Sequence, residues 1–143
     1  MYFLNRAGWG VVGFVLSLHC GVAAADVVAV VSAKSAPILI SKNQLMNIFL
    51  GNASIVLNGE PAIPIDQMEG SAVRDAFYAK FAGKSPAQIK AHWSKIIFTG
   101  RGQPPKEVTN SIEVKKRLIA IPNAIGYIEQ DMVDGSVRVL QLE

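Results

Sequence analysis

The hydrophobic pattern divides the chain into a leader and a series of short elements. Ala7 to Val22 is apolar except for Ser17 and His19. It follows a short stretch with one positive charge at Arg6 and ends in Ala23-Ala24-Ala25 before Asp26. This n-, h- and c-region order predicts a secretory signal peptide over 1–25, in preference to a membrane anchor, for which the stretch is short. The domain is then expected over 26–143. Val27 to Ser32 is an unbroken, β-branched-rich run and predicts a strand buried on both faces. Pro37 to Ile40 extends or follows it. Ser41 and Gln44 have capping-box spacing, Leu45, Ile48 and Phe49 share the face of a short helix, and Gly51 ends it.

Ile55-Val56-Leu57 and Ala62 to Ile65 flank Asn58-Gly59, a strong hairpin signal. Pro61 and Pro64 predict that the second arm is an edge or irregular strand. Gly70-Ser71 opens a helix with Val73, Ala76, Phe77 and Phe81 on its buried face, and Gly83 stops it. Ser85-Pro86 starts another, with Ile89, Trp93, Ile96 and Ile97 inward. Arg101 to Lys106 reads as a Gly/Pro loop. Ser111 caps a helix carrying Val114 and Leu118, which Pro122 terminates. Ile125 to Ile128 and Val137 to Leu142 read as strands. The resulting class is α/β, a mixed sheet with helices packed on it.

Composition sharpens this picture. The 143 residues are 50% hydrophobic and only 17% charged, which excludes a disordered tail and a two-lobed enzyme of ordinary size. Without the leader 118 residues remain, and the net charge falls from +3 to +2. That balance gives no electrostatic case for nucleic acid, and Lys115-Lys116-Arg117 reads as a solvated helix face. Cys20, the single cysteine, lies in the leader, so the domain has no disulfide framework and must rely on its core.

Three segments carry a resemblance: Leu45-Met-Asn-Ile-Phe-Leu-Gly51, Ile63 to Phe77, and Pro122-Asn-Ala-Ile-Gly-Tyr-Ile128. Together, across Val28 to Glu129, the chain resembles the substrate-binding proteins of phosphate ABC transporters, with the type 2 periplasmic-binding-protein fold. The resemblance implies one lobe of a fold that normally closes two lobes on an oxyanion. The Gly- and Ser-rich segment of the other lobe has no counterpart here. The family's motif of Arg, two residues and Gly-Ser-Gly-Thr falls on Gln67, Gly70, Ser71, Ala72 and Val73. Only Gly70 and Ser71 match.

A helix N-terminus suits an anion because its first N–H groups are unpaired and lie at the positive end of the dipole. Gln67, Gly70, Ser71, Ala72 and Arg74 are therefore the candidate ligand-binding residues. Ser71 and the N–H groups of Ser71 and Ala72 are the expected donors, and Arg74 is the expected charge partner. The plainer reading makes Ser71 an ordinary N-cap and Arg74 a surface residue, and the Glu69 carboxylate opposes an anion.

No catalytic residues, metal ligands or cofactor are expected. His92 reads as a packed or half-exposed side chain, and no nucleophile elbow surrounds Ser71 to make a triad with His92 and Asp66. Gly100-Arg101-Gly102 lacks the rest of a P-loop. Trp93, Phe98 and Tyr127 read as core. The expected function is a periplasmic phosphate- or oxyanion-binding module, not an enzyme, accessory to ABC phosphate transport. A dimer mate or envelope protein would close its site, with no membrane span left after leader cleavage. The alternative is an interaction or sensor module that kept the fold and lost the ligand.

Overall fold

β1 (Val27–Ser32) carries side chains into two separate cores, which explains its unbroken apolar run. The computed structural model describes residues 26–143, so the predicted leader lies outside the described residues. After β1 come β2 (Leu39–Ile40), α1 (Lys42–Phe49), the hairpin β3 (Val56–Leu57) and β4 (Glu60–Pro61), then β5 (Ile63–Gln67). α2 (Ala72–Ala82), α3 (Pro86–Phe98), β6 (Lys106–Val108), α4 (Ser111–Ala120) and β7 (Ala124–Glu129) follow. A 3₁₀ turn leads to β8 (Val137–Val139) and β9 (Gln141–Leu142).

The main sheet has the order β6-β5-β7-β1-β8. β5 lies parallel to β6 and β7, and β1 runs antiparallel to β7 and β8. α1, α2 and α3 cover one face, where Phe49, Phe77 and Tyr127 form the centre of the larger core. The Phe77 and Tyr127 rings stack with centroids 3.9 Å apart. α4 covers the other face through Val114 and Leu118, against Val30, Ile65 and Ile128. The class is the expected mixed-sheet α/β arrangement.

Local signals were faithful where the chemistry is local. Ser41 and Gln44 form a reciprocal capping box, and so do Ser85 and Gln88. Asn58 and Gly59 both have positive φ, 54° and 82°, as a tight hairpin turn of this kind requires.

Several expectations are corrected. β5 is an interior strand despite Pro64. Ile63 N–H donates to Asn123 O on the β7 side, so the alternating pattern turns Pro64 N toward β6, where pairing begins only at Ile65. Lys106 belongs to β6 and is not loop. Asn110, not Ser111, caps α4. The 137–142 run divides into β8 and β9, which join different sheets. On α2 the buried residues are Arg74, Phe77 and Tyr78, with Val73, Ala76 and Phe81 only half-buried. Ile97 is 56% exposed and Phe98 92% exposed, so neither is core.

Candidate functional site

The three parallel strands end at one edge of the sheet, at Val108, Gln67 and Glu129. From that edge β5 sends α2 to one face, and its neighbour β6 sends α4 to the other. Divergence of α2 and α4 from adjacent parallel strands opens a crevice beyond the strands' carboxyl ends, where open α/β sheets hold ligands. A cavity of about 360 Å³ lies there, lined by residues 67–71, Val73, residues 109–111 and Glu129.

Gly70 makes the turn into α2 with φ of +90°, a conformation that glycine adopts without strain. Ser71 is the N-cap. Its hydroxyl accepts from Arg74 N–H at 3.3 Å and donates to Gln67 Oε1 at 3.3 Å. Ser71 N–H is taken by Met68 O at 3.1 Å, so it is not the expected free donor. The first-turn N–H groups of Ala72 and Val73 have no intrahelical acceptor. At the second helix start, the Asn110 side chain accepts from Glu113 N–H at 3.0 Å, leaving the N–H groups of Ser111 and Ile112 in the same condition.

Gln67 joins the two helix starts. It is 1% exposed, and its Nε2 donates to Ser111 Oγ at 3.1 Å and to Tyr127 O at 3.2 Å. With Oε1 accepting from Ser71, the amide links the α2 cap to the first residue of α4 and has no donor hydrogen left for a ligand. Ser111 Oγ in turn donates to the Glu129 carboxylate.

Arg74 does not face the crevice as a free cation. It is 6% exposed, so the surface reading of this residue is also corrected. Its Nε lies 3.5 Å from Asp66 Oδ2, its terminal nitrogen 3.9 Å from Glu107, and its guanidinium 5.4 Å from the Tyr78 ring centroid. Asp66, 1% exposed, also accepts from Tyr78 OH at 2.7 Å, from Tyr127 OH, and from Gln67 N–H at 2.9 Å. Burial alone would lower the Arg74 pKa, but the opposing field, led by Asp66, raises it. Burial first, then the Asp66 charge and its hydrogen bond, push both tyrosine hydroxyls far above their ordinary range. A buried, charged network centred on Asp66 thus underlies the start of α2.

The five expected site residues are therefore grouped, but only part of the group lines the cavity. Gly70 and Ser71 line it, and Ala72 does not. Gln67 reaches it from the buried side, and Arg74 lies outside its lining. Asn110, Ser111 and Glu129 are the residues that the sequence reading missed. Asn110 three positions before Glu113 was the available capping signal, but without β6 nothing placed it beside Ser71. His92 lies elsewhere, with Nε2 2.8 Å from Leu50 O, so no triad with Ser71 and Asp66 is assembled. Among the described residues, no group of three or more His, Cys, Asp or Glu side chains is placed to hold a metal ion. Among them, too, no helix is long and apolar enough to cross a membrane.

No protein-family model and no curated protein matches the chain in sequence. The structure is similar to three solved substrate-binding proteins. One is an ABC-type phosphate transport receptor from Vibrio cholerae, at TM-score 0.62 and 18% identity, covering 81% of this chain and 45% of the receptor. Another, from Clostridium perfringens, was assigned as a phosphate ABC transporter substrate-binding protein and carries bound phosphate. It matches at TM-score 0.62 and 20% identity, over 81% of this chain and 44% of that one. PstS from Borrelia burgdorferi matches at 0.60 and 14%, over 82% and 47%. The chain spans less than half the length of each. Its fold is that of a single-lobe-sized portion of these proteins.

Proposed function

We propose that the chain is an exported oxyanion-binding module of the phosphate-receptor kind, with its ligand site in the crevice between the starts of α2 and α4. The observation that supports this most is the convergence of two helix N-termini on one cavity, with Gln67 bonded to Ser71 at one and Ser111 at the other. Ala72, Val73, Ser111 and Ile112 N–H groups are the donors, and the two helix dipoles add favourable potential. Reaction chemistry is not part of this proposal.

The site is weak by construction. Arg74 is neutralised by Asp66, and Glu69 and Glu129 bring negative charge to the rim. The open crevice leaves a bound anion in contact with water, which screens each contact. Affinity for inorganic phosphate should be millimolar in the isolated chain and should rise when a second surface, from a dimer mate or an envelope protein, closes the crevice. A role beside an ABC phosphate transporter in the periplasm follows from this reading.

A thermal-shift series with phosphate and sulfate tests the proposal. A ligand at ten times its dissociation constant adds ~1.4 kcal/mol, a rise of a few degrees. Ser71→Ala should reduce the response. An unchanged midpoint at tens of millimolar phosphate defeats the proposal. That result would favour the second reading, an interaction module without ligand.

A further inference from the structure

The end of α3 combines exposed apolar side chains with uncompensated positive charge. Phe98 is 92% exposed and Ile97 56% exposed, although both sit in a helix whose buried face is formed by Ile89 and Trp93. Between Asp75 and Glu107 the sequence contains no acidic residue, while Lys80, Lys84, Lys90, Lys95, Arg101 and Lys106 fall in that interval. Lys80 pairs with Asp26 and Lys90 with Glu69. Among the described residues, Lys95 and Arg101 form no ion pair. They flank the two apolar residues and border a cavity of about 420 Å³ that Gly51, Asn52, His92 and Ile96 complete, with no carboxylate in its lining.

The helix end is also prepared for a less polar medium. Its last carbonyls are taken by the N–H groups of Thr99, Gly100 and Arg101 at 3.1 Å each. Thr99 Oγ1 donates to Lys95 O at 2.8 Å, and Arg101 Nε donates back to Thr99 Oγ1 at 3.1 Å. That contact holds the guanidinium at Thr99, at the negative end of the helix dipole. The carbonyls of Lys95, Ile96 and Ile97 are thus satisfied within the chain.

We propose that the α3 terminus is a docking surface for an anionic lipid bilayer. Phe98 and Ile97 enter the interfacial region, and Lys95 and Arg101 contact lipid phosphates, with the adjoining cavity receiving one headgroup. The pairing of apolar side chains with a basic rim fits a bilayer surface, which presents acyl chains beneath a layer of anionic groups. A soluble acidic partner would match the charges and leave Phe98 unexplained. The surface is independent of the α2–α4 crevice and stands whether or not that crevice binds phosphate.

Amide hydrogen exchange of the full chain with lipid vesicles tests this locally. Phosphatidylglycerol-containing vesicles should slow exchange of segment 94–102 by roughly tenfold or more relative to pure phosphatidylcholine vesicles. Both vesicle types would take up the apolar 7–22 stretch alike, so the difference between them reads on α3. Phe98→Ser should abolish the protection with an unchanged melting midpoint, and Lys95→Ser with Arg101→Ser should remove the preference for the anionic lipid. Equal exchange with both vesicle types overturns the proposal, as does protection that survives Phe98→Ser. Protection by soluble polyglutamate as strong as that by vesicles would assign an acidic macromolecule and also overturn it.

Discussion

Replacing Asp66 by Asn changes one atom and removes one buried charge. Four groups converge on that carboxylate: the Tyr78 and Tyr127 hydroxyls, Gln67 N–H and the Arg74 guanidinium. Arg74 is 6% exposed, and its other acidic neighbour, Glu107, is 3.9 Å away with its side chain 43% exposed. That neighbour is too distant and too wet to replace Asp66. An uncompensated buried cation costs ~3–5 kcal/mol. The Asn amide also turns a donor toward groups that already donate, so the hydrogen-bond loss adds to the charge loss. Against a typical total of ~5–15 kcal/mol, Asp66→Asn should remove roughly a fifth or more of the stability. Urea denaturation followed by far-UV circular dichroism measures it. In an Arg74→Met background there is no buried cation to strand, so the same substitution should cost at least ~1 kcal/mol less. A cost below 1 kcal/mol for Asp66→Asn, or an equal cost in both backgrounds, would refute the buried-pair reasoning.

The two tyrosines of the described domain predict an alkaline limit. Their folded-state pKa values are raised, so above pH 10 the native state holds protons that the unfolded chain releases. Stability is complete below pH 10 and falls as pH rises, by about 1.4 kcal/mol per unit for each tyrosine. Tyrosinate absorbance from Tyr78 and Tyr127 should appear together with unfolding, and ionisation in a still-folded chain would contradict this. Gly126→Ala places a Cβ 2.6 Å from Val114 Cγ1, where α4 meets β7, and should cost ~1–3 kcal/mol by chemical denaturation. A neutral effect would show that α4 can move away from the sheet.

How much of this was legible beforehand depends on the range of the interaction. The Ser41 and Ser85 caps, the Asn58-Gly59 turn and the two-faced β1 strand are set by residues within a few positions of one another, and the sequence pattern shows them. Ser71 as the α2 cap was equally legible. Arg74 was not, because a long cation on a helix looks solvated until Asp66, eight residues earlier on a buried strand, is found beneath it. β6 has only three residues and is defined by its pairing with β5, so composition alone reads it as loop. The second half of the crevice, Asn110, Ser111 and Glu129, was missed with it. Phe98 misled in the opposite direction, since apolar character alone does not say which face of a helix end is covered.

The claim that matters most is that two helix starts form one anion site. Phosphate titration followed by backbone amide chemical shifts tests it directly. The account predicts that millimolar phosphate shifts Ala72 and Val73 together with Ser111 and Ile112, along one binding curve. No shift at those four amides, or a response confined to His92, Lys95 and Arg101, would contradict it.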